Sequence, residues 1–148
     1  MEKPLVLLVD DNEATTTLLT ALLHKEFEVD VVSDGVDAVE RLKTRNYGAV
    51  ILDLLMPQLD GYGVLDFVSE NKPELLRRIV VVSAALTRKE MSRVRQYKVC
   101  DVISKPFEVD NLLSAVRKCV DPSAGPRGTL ISSGVILLLA EVLRRRWM

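Results

Sequence analysis

The chain has 148 residues, 48% hydrophobic and 28% charged, with a net charge of −1. That suits a single globular domain with a proper core and argues against a disordered chain. The near-neutral balance gives no electrostatic reason to expect direct DNA binding.

Leu5-Val6-Leu7-Leu8-Val9 is an apolar run that stops at Asp10 and Asp11. Asn12 or Asp11 can cap the helix that follows, with Ala14, Leu18, Leu19, Leu22 and Leu23 at helical spacing. His24, the only histidine, belongs at its surface or boundary, and no histidine metal cluster can form. Val29 to Ser33 reads as a short strand, Asp34-Gly35 as a turn, and Val36, Ala38, Val39 and Leu42 as a second helix.

The organising stretch comes next. Ala49-Val50-Ile51-Leu52 is continuously apolar, bounded by Gly48 and Pro57, and reads as a strand buried on both faces. It stops at Asp53. An ionised carboxylate is costly to bury without partners. It is tolerated at the carboxyl end of a strand in an open parallel sheet, where ligand sites lie.

Val64, Leu65 and Val68 predict a third helix, closed before Pro73. Ile79 to Ser83 is another β-branched strand. Arg88 to Tyr97 predicts a fourth helix that packs thinly, its apolar anchors being Met91 and Val94. Val102-Ile103-Ser104 is a brief strand ending at Lys105-Pro106, and Leu112, Leu113, Val116 and Val120 mark a fifth helix. Strands alternating with helices imply βαβ units with right-handed crossovers. The expected fold is α/β: a five-stranded parallel sheet, doubly wound in the flavodoxin-like manner, with an extra C-terminal helical tail.

Residues 1–121 are read as that domain. Residues 122–129 hold two prolines and two glycines and read as a linker. Residues 130–148 form an apolar tail closed by Arg144, Arg145 and Arg146, too interrupted to span a membrane; it can dock on its own domain, pair with a second copy as a homodimer, or lie on a membrane surface with the arginines at the headgroups, and docking on protein is favoured. Cys100 and Cys119 form no Cys-x-x-Cys pair and are read as two reduced thiols. With no secretion signal at the N-terminus, a cytoplasmic location is expected.

Four strands thus end in Asp10-Asp11, Asp53, Ser83 and Lys105, and a parallel sheet gathers those ends at one edge. Three carboxylates repel one another unless a cation joins them. Oxygen ligands without His or Cys suit Mg²⁺. Taken singly, Asp10 and Asp11 fit a capping pair, Ser83 a turn residue and Lys105 a solvated lysine. Their joint occurrence favours a site. An Asp-x-Asp phosphatase signature is absent, since the chain has Asp10-Asp11-Asn12, and no glycine-rich dinucleotide or P-loop pattern is present.

With Val9-Asp10-Asp11-Asn12, Leu52-Asp53-Leu54-Leu55-Met56-Pro57, Val82-Ser83-Ala84 and Ser104-Lys105-Pro106-Phe107, the chain resembles the receiver domain of bacterial two-component response regulators from Leu5 to about Val120. The resemblance implies that Asp53 accepts a phosphoryl group from a phosphohistidine on a sensor histidine kinase. It implies that Asp11 and Asp53 ligate Mg²⁺, that Leu55 lends a carbonyl, and that Asp10 acts through a metal-bound water. Lys105 and Ser83 then contact the phosphoryl oxygens, and the bond before Pro106 is cis. The output is a change in binding to a downstream protein target. The alternative is a phosphorelay intermediate that serves a histidine phosphotransfer protein. In either role the chain catalyses its own phosphorylation and slow dephosphorylation. A phosphorylation-independent interaction module fits the intact acids less well. Two departures stand out. Val102 replaces the aromatic residue usual three positions before the lysine, and Lys98 stands where a glycine often ends the fourth helix.

Overall fold

In the computed structural model, which describes residues 2–56, 58–84 and 86–124, the apolar runs become the strands of one sheet. These are β1 (Leu5–Val9), β2 (Glu28–Val32), β3 (Ala49–Asp53), β4 (Ile79–Ser83) and β5 (Asp101–Ser104). All neighbours pair in parallel, in the order β2-β1-β3-β4-β5. Every residue of β3 and β4 is buried, whereas the edge strand β5 is only half-buried. The helices are α1 (Glu13–Leu23), α2 (Gly35–Thr44), α3 (Gly61–Asn71), α4 (Arg88–Arg95) and α5 (Val109–Val120). The doubly wound expectation is met.

Alternation along the strands makes two cores. Leu7, Val9, Val50, Leu52, Ile79 and Val81 face α2, α3 and α4, meeting Ala38, Leu42, Val64, Leu65, Val68 and Val94. Val6, Leu8, Ala49, Ile51, Val80 and Val82 face α1 and α5, meeting Leu19, Leu23, Leu112, Ala115 and Val116. Each such side chain contributes roughly 1.5–3 kcal/mol by leaving water, so the central strands fix the fold. Side-chain caps start four helices: Asn12, Asp34, Asp60 and Thr87 each accept a backbone N–H three residues on.

The structure differs from the sequence reading in four places. Leu18 is 56% exposed, because the buried face of α1 is made by Thr16, Leu19 and Leu23. Pro73–Arg78 forms a 3₁₀ turn that buries Leu75 and Leu76. α4 stops at Arg95, with Val94 its only fully buried residue. The fourth difference corrects the expectation of two reduced thiols: Cys100 and Cys119 are joined as a disulfide. Their spacing of 19 residues hid this. Cys100 precedes β5 while Cys119 sits on the inward face of α5, and only the folding of α5 onto the sheet brings them together. His24 is exposed at the end of α1, as expected. Pro122–Ala124 makes one 3₁₀ turn. The rest of the linker and the tail of 130–148 lie outside the described residues. Among the described residues no helix is long and apolar enough to cross a membrane.

Candidate functional site

Because the strands are parallel, the ends of β1, β3, β4 and β5 share one edge, and the sequence places a polar residue at each. The Asp10 backbone N–H donates to Val32 O at 3.2 Å, extending the β1–β2 ladder by one residue. Asp10 Oδ1 accepts from the Asn12 N–H at 2.9 Å, and Oδ2 accepts from Lys105 Nζ at 2.9 Å. Asp53 is held the same way: Oδ1 accepts from the Leu55 N–H at 3.1 Å and Oδ2 from Lys105 Nζ at 3.2 Å. One ammonium thus bridges two carboxylates that are 5% and 6% exposed. Asp11 is exposed, yet one oxygen from each of Asp10, Asp11 and Asp53 lies within 4.8 Å of the others.

β5 delivers Lys105 through its backbone, since Lys105 N–H donates to Ser83 O at 2.9 Å. The Lys105–Pro106 peptide is cis, as the resemblance implies. Ser83 is wholly buried at the end of β4, one position beyond Val82, the register partner of Asp53. Leu55 projects its side chain outward, 56% exposed, beside the cluster.

Burial pushes the Asp53 carboxyl above its ordinary value. The Leu55 N–H and Lys105 pull it down and Asp10 pushes it up further, and burial prevails. Burial alone would lower the Lys105 ammonium, but its hydrogen bonds and charge contacts with Asp10 and Asp53 together raise it. The cluster is therefore a site with more negative charge than its lysine neutralises. Oxygen donors close enough to share one ion, without His or Cys among them, fit Mg²⁺.

One positioning residue was missed. The Asp60-Gly61 pair reads as a turn, but Gly61 also supports Asp53 directly. Its N–H donates to Leu54 O at 3.0 Å. A Cβ on Gly61 would lie 2.6 Å from Asp53 O and from Leu54 Cα. Only the absent side chain lets the start of α3 lie against the end of β3.

With this geometry in place, the comparisons with known proteins are specific. The family model for the response regulator receiver domain matches residues 6–117. The chain belongs to that family, the receivers of two-component signalling. The transcriptional regulatory protein DltR of Streptococcus agalactiae is 31% identical over 134 residues, 90% of this chain and 59% of that protein. The transcription factor SKN7 of Saccharomyces cerevisiae is 32% identical over 110 residues, 74% of this chain and 17% of that protein. The chain thus spans less than two thirds of these curated relatives. Since they are named as transcriptional regulators, the expectation of no direct DNA binding finds no support among them. Among solved structures, the receiver domain of the sensor histidine kinase PA1611 from Pseudomonas aeruginosa, with a magnesium ion coordinated in its active-site cleft, has a TM-score of 0.71 and 26% identity. The match covers 80% of this chain and 98% of that one.

Proposed function

We propose that Asp53 accepts a phosphoryl group from a phosphohistidine of a sensor histidine kinase, in a Mg²⁺-dependent reaction, and that the chain signals by changing the protein target it binds. The observation that carries this reading is the holding of Asp53 between Lys105 Nζ and the Leu55 N–H, with oxygens of Asp10 and Asp11 within 4.8 Å. An Asp53 oxygen attacks phosphorus, the phosphorus–nitrogen bond breaks, and the imidazole leaves with the electron pair. The Leu55 N–H orients the nucleophile. Lys105 is placed to follow the charge from the carboxylate to a phosphoryl oxygen. The hydroxyl of Ser83 is the donor for a second oxygen. Asp11, Asp53 and the Leu55 carbonyl would hold Mg²⁺, with Asp10 acting through a metal-bound water. The ion supplies charge neutralisation for the phosphoryl oxygens. The slow hydrolysis of the acyl phosphate, in which water takes the phosphoryl group and leaves the Asp53 carboxylate and inorganic phosphate, is the chain's own. Such a chain works in the cytoplasm, with residues 1–121 as the receiver, 122–129 as linker and 130–148 as tail.

Acetyl phosphate with Mg²⁺, followed by intact-mass measurement, tests this reading. Addition of one phosphoryl group is expected, with its loss in Asp53→Asn. Full labelling of that variant refutes the assignment. The likeness to a receiver belonging to a sensor histidine kinase favours a second reading, a phosphorelay intermediate. Transfer of the label from the phosphorylated chain to a histidine phosphotransfer protein would select it.

A further inference from the structure

The phosphoryl site lies at one end of β5, and the cysteine pair lies at the other. Cys100 directly precedes β5, and its N–H donates to Ile79 O at 2.9 Å, fixing it at the start of β4. Cys119 belongs to the last turn of α5, packed in the core at 1% exposure. Their Cα atoms are 6.0 Å apart, within the span a disulfide bridges without backbone movement. Five residues of extended chain, roughly 16 Å at 3.3 Å each, separate Cys100 from Lys105.

The neighbouring residues make the same crossing. Asp101 and Lys118, each next to one of the cysteines, form an ion pair at 4.0 Å. Both line a groove of about 290 Å³ between β5 and α5, together with Ile103, Asn111, Ser114 and Ala115. The cross-link therefore sets the spacing of the two elements that wall this groove. β5 is a half-buried edge strand, and Glu108 provides no side-chain cap for α5. β5 is held less firmly than the fully buried β3 and β4, so a covalent tie from it to α5 changes its freedom more than it would in the centre of the sheet.

We propose that Cys100 and Cys119 are a second covalent modification site, a reversible dithiol–disulfide couple that reacts with hydrogen peroxide and fixes α5 to β5 independently of phosphoryl chemistry at Asp53. Their exposures assign the roles. Cys100 is half-buried, and Cys119 is closed off. The Cys100 thiolate attacks one oxygen of the peroxide, the O–O bond breaks, and one water departs, leaving a sulfenic acid. The Cys119 sulfur then displaces the second water and closes the disulfide. Two thiols lose two electrons and two protons, and one peroxide becomes two waters. A dithiol reductant reverses the change by thiol–disulfide exchange.

The test uses the full chain, reduced with dithiothreitol, desalted, and then treated with hydrogen peroxide. Alkylation in denaturant with intact-mass readout should find two free thiols before peroxide and none after, in a chain that forms no intermolecular disulfide and recovers both thiols on reduction. Two alkylated thiols after excess peroxide, or a cross-link found only in dimers, would overturn the proposal. Cys119→Ala should stop at a Cys100 sulfenic acid that dimedone traps, while Cys100→Ser should leave Cys119 alkylatable. Peroxide consumption by Cys100→Ser at the wild-type rate would overturn the assigned roles. Hydrogen exchange of the amides at 116–120 should slow by about ten- to a hundredfold in the oxidised wild type, the range open to a cross-link closing a loop of this length. Equal exchange in the two redox states would overturn the clamp. Labelling of Asp53 by acetyl phosphate should be equal in both states, and a difference would overturn the independence of the two sites.

Discussion

Replacing Asp53 by Asn should make the metal-free protein more stable. The nearest attraction on Asp53 comes from Lys105 Nζ at 3.2 Å. At an effective dielectric of about 20 that contact is worth about 5 kcal/mol. Against it stands the Asp10 carboxylate, whose ligand oxygen lies within 4.8 Å, for about 3.5 kcal/mol or more of repulsion on the same scale. Asp11 adds a further, solvent-screened repulsion. Lys105 must also serve Asp10, which it approaches more closely, at 2.9 Å. Repulsion and attraction therefore nearly cancel, and what remains is the cost of holding a carboxylate that is 6% exposed. The raised affinity of Asp53 for its proton has the same sign and the same leading cause.

Asparagine keeps the shape and can still accept from the Leu55 N–H and Lys105. The expected gain is about 1–2 kcal/mol at neutral pH, or about 3–8 °C in melting temperature for a domain of this size. Denaturant unfolding in a chelator is the assay. The gain has a definite pH dependence. A carboxyl whose folded value is raised costs nothing below its ordinary value of 3.8. It costs progressively more as pH rises from there through the raised value. The two proteins should therefore converge near pH 3–4. Millimolar Mg²⁺ should reverse the order, since a cation held by the proposed site of the assembled wild type would favour the folded state. An Asp53→Asn chain that is equal to or less stable than wild type in chelator at pH 7 would refute this account of the site.

Four further outcomes follow. Leu55, 56% exposed beside the site, cannot orient a water, so Leu55→Asn should speed loss of label from the phosphorylated chain by roughly tenfold; an unchanged half-life in a time course by intact mass would count against it. Lys98 has φ 58°, a left-handed conformation that disfavours a side chain, so Lys98→Gly should stabilise by about 1 kcal/mol in urea unfolding. Gly61→Ala puts a Cβ 2.6 Å from two backbone atoms, and should cost about 1–3 kcal/mol while slowing acetyl phosphate labelling. Tyr47, Tyr62 and Tyr97 are each pushed up to about 12, by burial first and then by the carboxylates they donate to. Their contribution is complete below pH 10 and lost as pH rises through about 12, so near-ultraviolet absorbance should show no tyrosinate at pH 10 until the protein is unfolded.

The strands and the site edge were legible for one reason: each central strand is an apolar run that ends in a single polar residue. Burial on both faces enforces the run, and the sheet edge permits the polar end, so one stretch such as Ala49–Asp53 states both facts. Lys105 could be placed because Ile103 and Ser104 run straight into it. What long-range packing decides was not legible. Gly61 looks like any Asp-Gly turn until its backbone is found against Asp53. The Cys100–Cys119 bond needs α5 to lie back across β5. Leu75 and Leu76, in a short polar context after Pro73, carry no helical or alternating pattern, yet both are buried.

The attachment of α4 bears on the missing aromatic at Val102. Val102 is half-buried and packs beside the core that holds Val94. It offers no ring to turn. The rings stand instead at the junction of α3 and α4, Tyr62 on α3 and Tyr97 two residues past the end of α4. The Tyr62 hydroxyl donates to Glu90, and the Arg93 guanidinium lies 3.6 Å from the centre of the Tyr62 ring. The Tyr97 hydroxyl donates to Asp66 Oδ1 at 2.5 Å. α3 thus holds α4 by two tyrosine–carboxylate bonds and one cation–π contact, while α4 itself buries only Val94 fully. Tyr62 directly follows Gly61, the residue whose backbone lies against Asp53. Polar bonds of this kind are net worth about 1 kcal/mol each and exchange readily with water, unlike a buried apolar face. α4 is therefore the helix least costly to rearrange, and the first turn of α3 touches both the end of β3, through Gly61, and α4, through Tyr62.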